Sequence, residues 1–110
     1  SESNAPYRLI GLALANHALG RESKCDEAVQ ELVSHHGDIA AYNLGCIMAF
    51  RGQNDAAFDF LERELELSGS GVFSEILGEP WFKSLYEDPR WEPFLHKVGR
   101  SPDQLSSQAL

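Results

Sequence analysis

The sequence predicts an all-α domain, built from two antiparallel helix hairpins and a helical, aromatic-rich tail. The strongest observation is an apolar stripe with helical spacing within residues 40–67, formed by Ala57, Phe58, Leu61 and Leu65. Gly52 interrupts this region where a helix would end with a positive φ. In the tail, a polar residue before a proline marks two helix starts, Asp88-Pro89 and Ser101-Pro102.

Length, composition and charge limit the class of protein. The chain has 110 residues, 43% hydrophobic and 24% charged, as expected of a single folded domain. No apolar run approaches about 18 residues and no basic segment precedes an apolar one, so we expect neither a membrane span nor a secretory signal. The net charge of −8 opposes contact with a phosphate backbone, so nucleic acid is not an expected partner. Cys25 and Cys46 lack a Cys-x-x-Cys motif and are typical of a reduced, cytoplasmic chain with buried thiols; a disulfide between helices stays open.

The first hairpin is predicted in residues 6–36. The polar residues 1–5 before it are expected to be disordered or derived from a tag. Pro6 suits the first turn of a helix that ends at Gly20. Apolar residues lie on two faces of this helix, so it has to be covered on two sides. The return helix of residues 21–36 has an inner face formed by Ala28, Val29, Leu32, Val33 and His36.

The second hairpin, residues 38–67, carries a family pattern. Six of its residues stand at fixed spacings without a gap: Leu44, Gly45, Met48, Gly52, Ala57 and Leu61. These are spacings of the tetratricopeptide (TPR) helix pair, which the hairpin resembles. It departs from the family at Ala41, where tryptophan is commonest, and at Glu64 and Gly69, where alanine and proline are usual. The resemblance implies hairpins stacked as a short right-handed superhelix.

The alignment of the first hairpin to this pattern has two alternatives. The two turn glycines lie 32 residues apart, close to the TPR period of about 34. If the pattern is aligned without a gap, Cys25 stands at the position of a small residue, and Asp26 stands at a position where an apolar residue belongs. With three additional turn residues, Ala28 and Leu32 take these positions. We prefer the second alignment because it buries no carboxylate.

Residues 72–108 form the predicted capping segment. The run Ser68-Gly69-Ser70-Gly71 predicts a flexible break before it, and residues 72–77 leave room for about two helical turns. Further helices are expected to start at Pro80, Pro89 and Pro102. Aromatic side chains concentrated here would cover the open end of the stack: Trp81, Phe82, Trp91 and Phe94.

The tail also resembles a known arrangement. Asp88-Pro89-Arg90-Trp91, Phe94-Leu95 and Val98-Gly99 are similar to the C-terminal end of TPR regions in bacterial multidomain signalling proteins. The resemblance implies a role in contacts between proteins.

The sequence gives little support for chemistry. His35, His36 and Asp38 lie close in sequence, but adjacent helical residues point about 100° apart, so a metal site is not expected. The alternating glutamates of 62–66, Glu64 among them, are interpreted as a solvated outer face rather than as paired acid–base carboxylates. Neither a phosphate-binding loop nor a nucleophile elbow is present, so we expect no enzyme activity and no cofactor.

A peptide-binding groove is the favoured site. In a stack of hairpins, the first helices line a concave surface that meets a partner. Asn43 stands where some TPR domains hold a peptide carboxylate, but Ile10 and Leu14 replace the accompanying basic residues, so that specificity is not expected. The resemblance places eight residues on this surface: Tyr7, Ile10, Leu14, His17, Tyr42, Asn43, Cys46 and Phe50.

The expected function is therefore a protein–protein interaction module that binds a peptide or helix. It would be a regulatory or scaffolding part of a larger bacterial protein. Two other functions stay open: a small-molecule sensor with a pocket near Tyr42, Phe50 and Trp81, and a self-associating module that forms a homodimer. A further alternative is that the groove residues simply pack on the tail.

Overall fold

The computed structural model describes residues 5–108, and within this range every regular element is helical. The all-α prediction is therefore confirmed. Residues 1–4 of the predicted disordered segment lie outside the described residues, whereas Ala5 is already the first residue of a helix. The six α-helices are α1 (Ala5–Ala18), α2 (Glu22–His36), α3 (Ala41–Phe50), α4 (Asn54–Ser68), α5 (Trp91–Lys97) and α6 (Pro102–Gln108). Three 3-10 helices lie between α4 and α5, at Ser70–Phe73, Ile76–Gly78 and Pro80–Leu85.

Two connections in the first half of the chain share one conformation. Gly20 follows α1 with a φ of 76°, and Gly52 follows α3 with a φ of 77°. After each glycine, the next backbone N–H donates to a carbonyl five residues earlier: Arg21 to Asn16 at 2.7 Å, and Gln53 to Met48 at 2.8 Å. Only glycine adopts this left-handed conformation without strain, and the paired hydrogen bonds are those of a Schellman motif. The predicted bend at Gly52 is confirmed, and α1 packs on α2 as α3 packs on α4.

The structure supports each alignment of the first hairpin in part. Ala28 and Leu32, the core residues of the preferred alignment, are both buried, but the turn lacks the three additional residues. Because α2 begins at Glu22, as α4 begins at Asn54, each connection has the same length. Cys25 therefore matches the fully buried Ala57, and it is itself fully buried. The carboxylate that this alignment was expected to bury stays outside, since Asp26 lies on the surface and accepts a 2.6 Å hydrogen bond from Arg51.

The second hairpin is closely packed at Gly45. A Cβ on this residue would lie 2.8 Å from Leu61 Cδ2, so the missing side chain lets α3 and α4 approach. Around this contact, α3 is the most buried of the helices in the described part of the chain, since α1 and the 3-10 helix Pro80–Leu85 also pack against it. The helix pair is thus held by close contact and by burial of α3.

The tail is more tightly folded than the sequence indicates. In place of a flexible break, the chain turns at Gly69, with a φ of 78°, and enters a 3-10 helix at Ser70. The expected two turns of helix in 72–77 are shorter 3-10 segments. Five large tail side chains are fully buried: Phe73, Ile76, Phe82, Leu85 and Phe94.

The predicted helix starts in the tail are largely present. Pro80 begins a 3-10 helix and Pro102 begins α6. Before α6, the Ser101 backbone N–H donates to Gln104 Oε1 at 2.9 Å, and the Gln104 N–H donates back to Ser101 Oγ. At Asp88, the carboxylate accepts the Arg90 N–H at 2.9 Å, but α5 begins only at Trp91.

Glu64 does not belong to a solvated face. Its side chain is only 6% exposed, and its carboxylate accepts the backbone N–H of Tyr42 at 3.2 Å. Tyr42 lies in the first turn of α3, where backbone N–H groups lack partners within the helix. Glu64 thus caps α3 from the neighbouring helix, which explains a buried acid at this position.

Candidate functional site

The α3 half of the predicted groove is covered by the chain's own tail. The Tyr42 ring lies 5.7 Å from Phe73 and 5.9 Å from Phe82, and the Phe50 ring lies 5.0 Å from Trp81. The small-molecule pocket of the alternative prediction would lie among these rings, which pack tilted or edge-on against one another. Cys46 is buried behind them. The α3 surface around Tyr42, Cys46 and Phe50 is therefore part of the core.

Burial determines the protonation of the groups on this side. It raises the pKa of the Cys46 thiol to about 12, and it raises the pKa values of Tyr42 and Cys25 as well. Both cysteines are free thiols. They stay protonated at neutral pH, which makes them poor nucleophiles and poor metal ligands.

One end of the predicted groove is closed by a charged network around Arg51. Its guanidinium donates to Glu22 at 3.0 Å and to Asp26 at 2.6 Å. His17 Nδ1 lies 2.5 Å from Glu22, and the His17 ring packs edge-on at 4.9 Å from Phe50. Burial alone would lower the pKa of Arg51, but the hydrogen bonds to the two carboxylates outweigh it and raise the pKa. His17 is thus engaged in the contact between α1, α2 and α3.

The opposite end is open. A cleft of about 540 Å³ lies between the N-terminal part of α1 and the connection from α2 to α3. Tyr7 and Ile39 on its rim are 74% and 79% exposed, the highest values among the large apolar residues of the described chain. Ile10 and Asn43 lie between them, from α1 and α3. The complete lining is Pro6, Tyr7, Ile10, His36, Ile39, Ala40 and Asn43.

Three of the eight predicted site residues line this cleft: Tyr7, Ile10 and Asn43. Of the others, Leu14 is partly buried and packs on the core. The prediction missed Ile39, because it lies in a turn where no helical spacing draws attention to it. The available signal was an isolated large apolar residue directly after Gly37-Asp38.

The cleft offers apolar contact together with an amide donor and acceptor. Such a surface can bind an apolar side chain and hydrogen-bond to a peptide backbone. Among residues 5–108, no group of three histidine, cysteine or acidic side chains is arranged to hold a metal ion; the His35 and His36 rings are 6.4 Å apart. None of the described helices combines the length and the apolar character that crossing a bilayer requires.

Comparison of the chain with protein-family models, with curated proteins and with solved structures finds no match.

Proposed function

We propose that the chain is a protein–protein interaction module of the TPR-like type. Its two hairpins stack as a short right-handed superhelix that the tail closes at one end. A peptide or helix of a partner protein docks at the cleft between α1 and the connection from α2 to α3. The module serves as a regulatory or scaffolding part of a larger bacterial protein.

Repetition within the chain supports the TPR-like part of the proposal. The two helix pairs share connection length, glycine conformation and hydrogen bonds at Gly20 and Gly52. Cys25 and Ala57, which follow the turns at equal distance, are both fully buried small residues. The contact of Gly45 with Leu61 provides the close helix approach that the Leu-Gly pair of the family pattern implies.

The exposed cleft supports the part of the proposal that concerns partner binding. Tyr7 and Ile39 leave more of their surface in water than any other large apolar residue described, and a partner gains free energy by covering them. Tyrosine is also among the residues that most often dominate binding energy at interfaces. Asn43 lies between them and supplies the polar contact that fixes the orientation of a peptide.

The experiment starts from a displayed peptide library selected against the whole chain. Binding of a selected peptide is then measured for Ile39→Ser and for the control Val72→Ser, which removes another exposed aliphatic side chain outside the cleft. We expect Ile39→Ser to weaken binding at least about tenfold, and Val72→Ser to change it less than about twofold. Equal effects of the two substitutions, or selected peptides that bind Ile39→Ser normally, would refute the proposal.

A further inference from the structure

A second groove lies on the other side of α1, between α1 and α2. It has a volume of about 630 Å³. Leu9, Leu12 and Ala28 give it an apolar floor, whereas the α2 side is polar. Leu12 is 46% exposed although its neighbour Leu9 is buried, so the apolar surface continues from the core to the solvent.

The outer side of α1 extends this surface. The sequence predicts that α1 is covered on two sides. In the described chain α2 and α3 are the helices that pack most on α1, and part of its circumference stays exposed. Gly11, Ala15 and Ala18 are exposed along its outer side, and Leu19 beyond them is 64% exposed. Small residues flanked by leucines allow a further helix to approach α1 closely.

The charges on the α2 side indicate what kind of helix fits. Glu27 and Glu31 both line the groove, one helical turn apart on α2. Among the described residues neither of them forms an ion pair, and Lys24 is the one lysine or arginine of the groove. The chain as a whole carries a net charge of −8, which attracts a basic partner from a distance.

We propose that this groove is a second docking surface, and that it accepts a basic amphipathic helix of a partner protein. The apolar stripe of that helix lies on Leu9, Leu12 and Ala28, and its lysines or arginines pair with Glu27 and Glu31. Helix-in-groove binding of this kind uses apolar residues at i, i+3, i+4 and i+7. The 14 residues of α1 offer a contact about 21 Å long, so binding is moderate in affinity.

A second copy of the chain is the less suitable occupant. Pairing two copies through this groove brings Glu27 and Glu31 of both molecules close together, and the like charges repel. Lys24 in the groove and Arg8 on the exposed side of α1 compensate locally, but each copy carries a net charge of −8, which opposes the association of two copies. Charge therefore favours a partner of opposite sign.

The test uses a fluorescent 16-residue peptide with a leucine stripe and lysines at all other positions, titrated against the whole chain by anisotropy. Leu12→Asp is compared with Leu77→Asp, because both leucines are 46% exposed and the charge change is the same. We expect Leu12→Asp to weaken binding at least about tenfold and Leu77→Asp less than about twofold. Far-UV circular dichroism checks that both variants keep their helices.

The electrostatic part has its own matched pair of variants. Glu27→Gln with Glu31→Gln removes two charges from the groove, and Glu75→Gln with Glu87→Gln removes two exposed charges elsewhere. We expect only the first pair to weaken binding, by about three- to tenfold, and the difference to shrink at about 0.5 M salt.

Three results would overturn the inference. The first is an equal loss of peptide binding in Leu12→Asp and Leu77→Asp, which would mean that the acidic protein binds a basic peptide anywhere on its surface. The second is equal binding of a peptide with glutamate in place of lysine. The third is sedimentation of the chain alone as a dimer that Leu12→Asp dissociates, which would assign the groove to a second copy. Ile39→Ser leaves binding of the basic peptide unchanged, so this test fails or succeeds independently of the proposed cleft.

Discussion

Substitution of Gly45 by alanine tests the close contact that holds α3 against α4. Two effects of opposite sign compete in this change. Alanine is favoured over glycine inside a helix by about 1 kcal/mol, which by itself would stabilise the protein. Against this, the new Cβ would lie 2.8 Å from Leu61 Cδ2 and 3.0 Å from its Cγ, distances at which atoms must move.

The steric effect is the larger one. Leu61 is fully buried, so its side chain has little room to give way. Overpacking of a core costs about 1–3 kcal/mol. Subtracting the gain in helix propensity leaves a net loss of about 1 kcal/mol in the free energy of unfolding, measured by urea denaturation with tryptophan fluorescence and circular dichroism.

Gly11→Ala provides the matched control. Gly11 also lies in the middle of a helix, but a Cβ there would meet no atom within 4 Å. The free energy of unfolding of this variant should rise by about 0.5–1 kcal/mol, so the two glycine-to-alanine changes affect stability in opposite directions. In a Leu61→Ala background, which itself costs about 2–5 kcal/mol, Gly45→Ala should no longer destabilise. A stabilising Gly45→Ala in the parent chain, or an unchanged penalty in the Leu61→Ala background, would refute the packing.

Three further predictions concern buried and capping groups. Glu64→Ala removes the acceptor of the Tyr42 N–H and should lower the free energy of unfolding by about 1–2 kcal/mol. Glu64→Gln keeps an acceptor and should lose less than half of that. Equal losses of the two variants in urea denaturation would contradict the cap. Hydrogen bonds from the Arg90 side chain and backbone lower the pKa of Asp88, so its contribution to stability is present above about pH 4 and is lost as the pH falls further. Asp88→Asn should therefore flatten the acid side of a stability–pH profile, and an unchanged acid side would count against the pairing. Since burial raises the pKa values of Cys25 and Cys46, both thiols should resist Ellman's reagent at about pH 8 until urea unfolds the chain. For the same reason the free energy of unfolding should decline above about pH 9. Rapid reaction of the folded chain with the reagent would contradict this.

Local signals account for the parts of the fold that the sequence predicts well. Gly52 and Gly20 end helices because a positive φ suits glycine, and this requirement is visible in the sequence itself. The same is true of Ser101, whose side chain caps the helix that follows it. Such features depend on neighbouring residues only, so spacing and residue type suffice.

The predictions from the sequence fail where the position of a side chain depends on a residue that is distant in the sequence. The alignment without a gap was disfavoured because it places Asp26 at an apolar position, but Arg51, which is 25 residues away in sequence, holds the Asp26 carboxylate at the surface. Glu64 was expected in solvent, but it satisfies a backbone N–H of another helix, 22 residues away. Neither partner can be found from local periodicity. The 3-10 helices of the tail were missed for a similar reason, since burial of Phe73 and Phe82 stabilises them rather than helix propensity.

Only part of the candidate site could be predicted, because contacts with distant residues also decide which part of the groove stays open. The spacing of Tyr7, Ile10 and Asn43 on two helices follows from the hairpin pattern, and all three line the cleft. Whether a groove stays open depends on the path of the tail, and the tail covers Tyr42 and Phe50. That path is a property of tertiary packing, which the sequence pattern does not contain.

The four isoleucines of the chain allow the most direct measurement of the proposed function. Ile10 and Ile39 line the cleft, whereas Ile47 and Ile76 are fully buried in the core. In an NMR spectrum with labelled isoleucine methyl groups, a peptide selected against the chain should shift the signals of Ile10 and Ile39 and leave those of Ile47 and Ile76 in place. Shifts confined to Ile47 and Ile76, or unchanged signals of the cleft pair at saturating peptide, would contradict docking at this cleft.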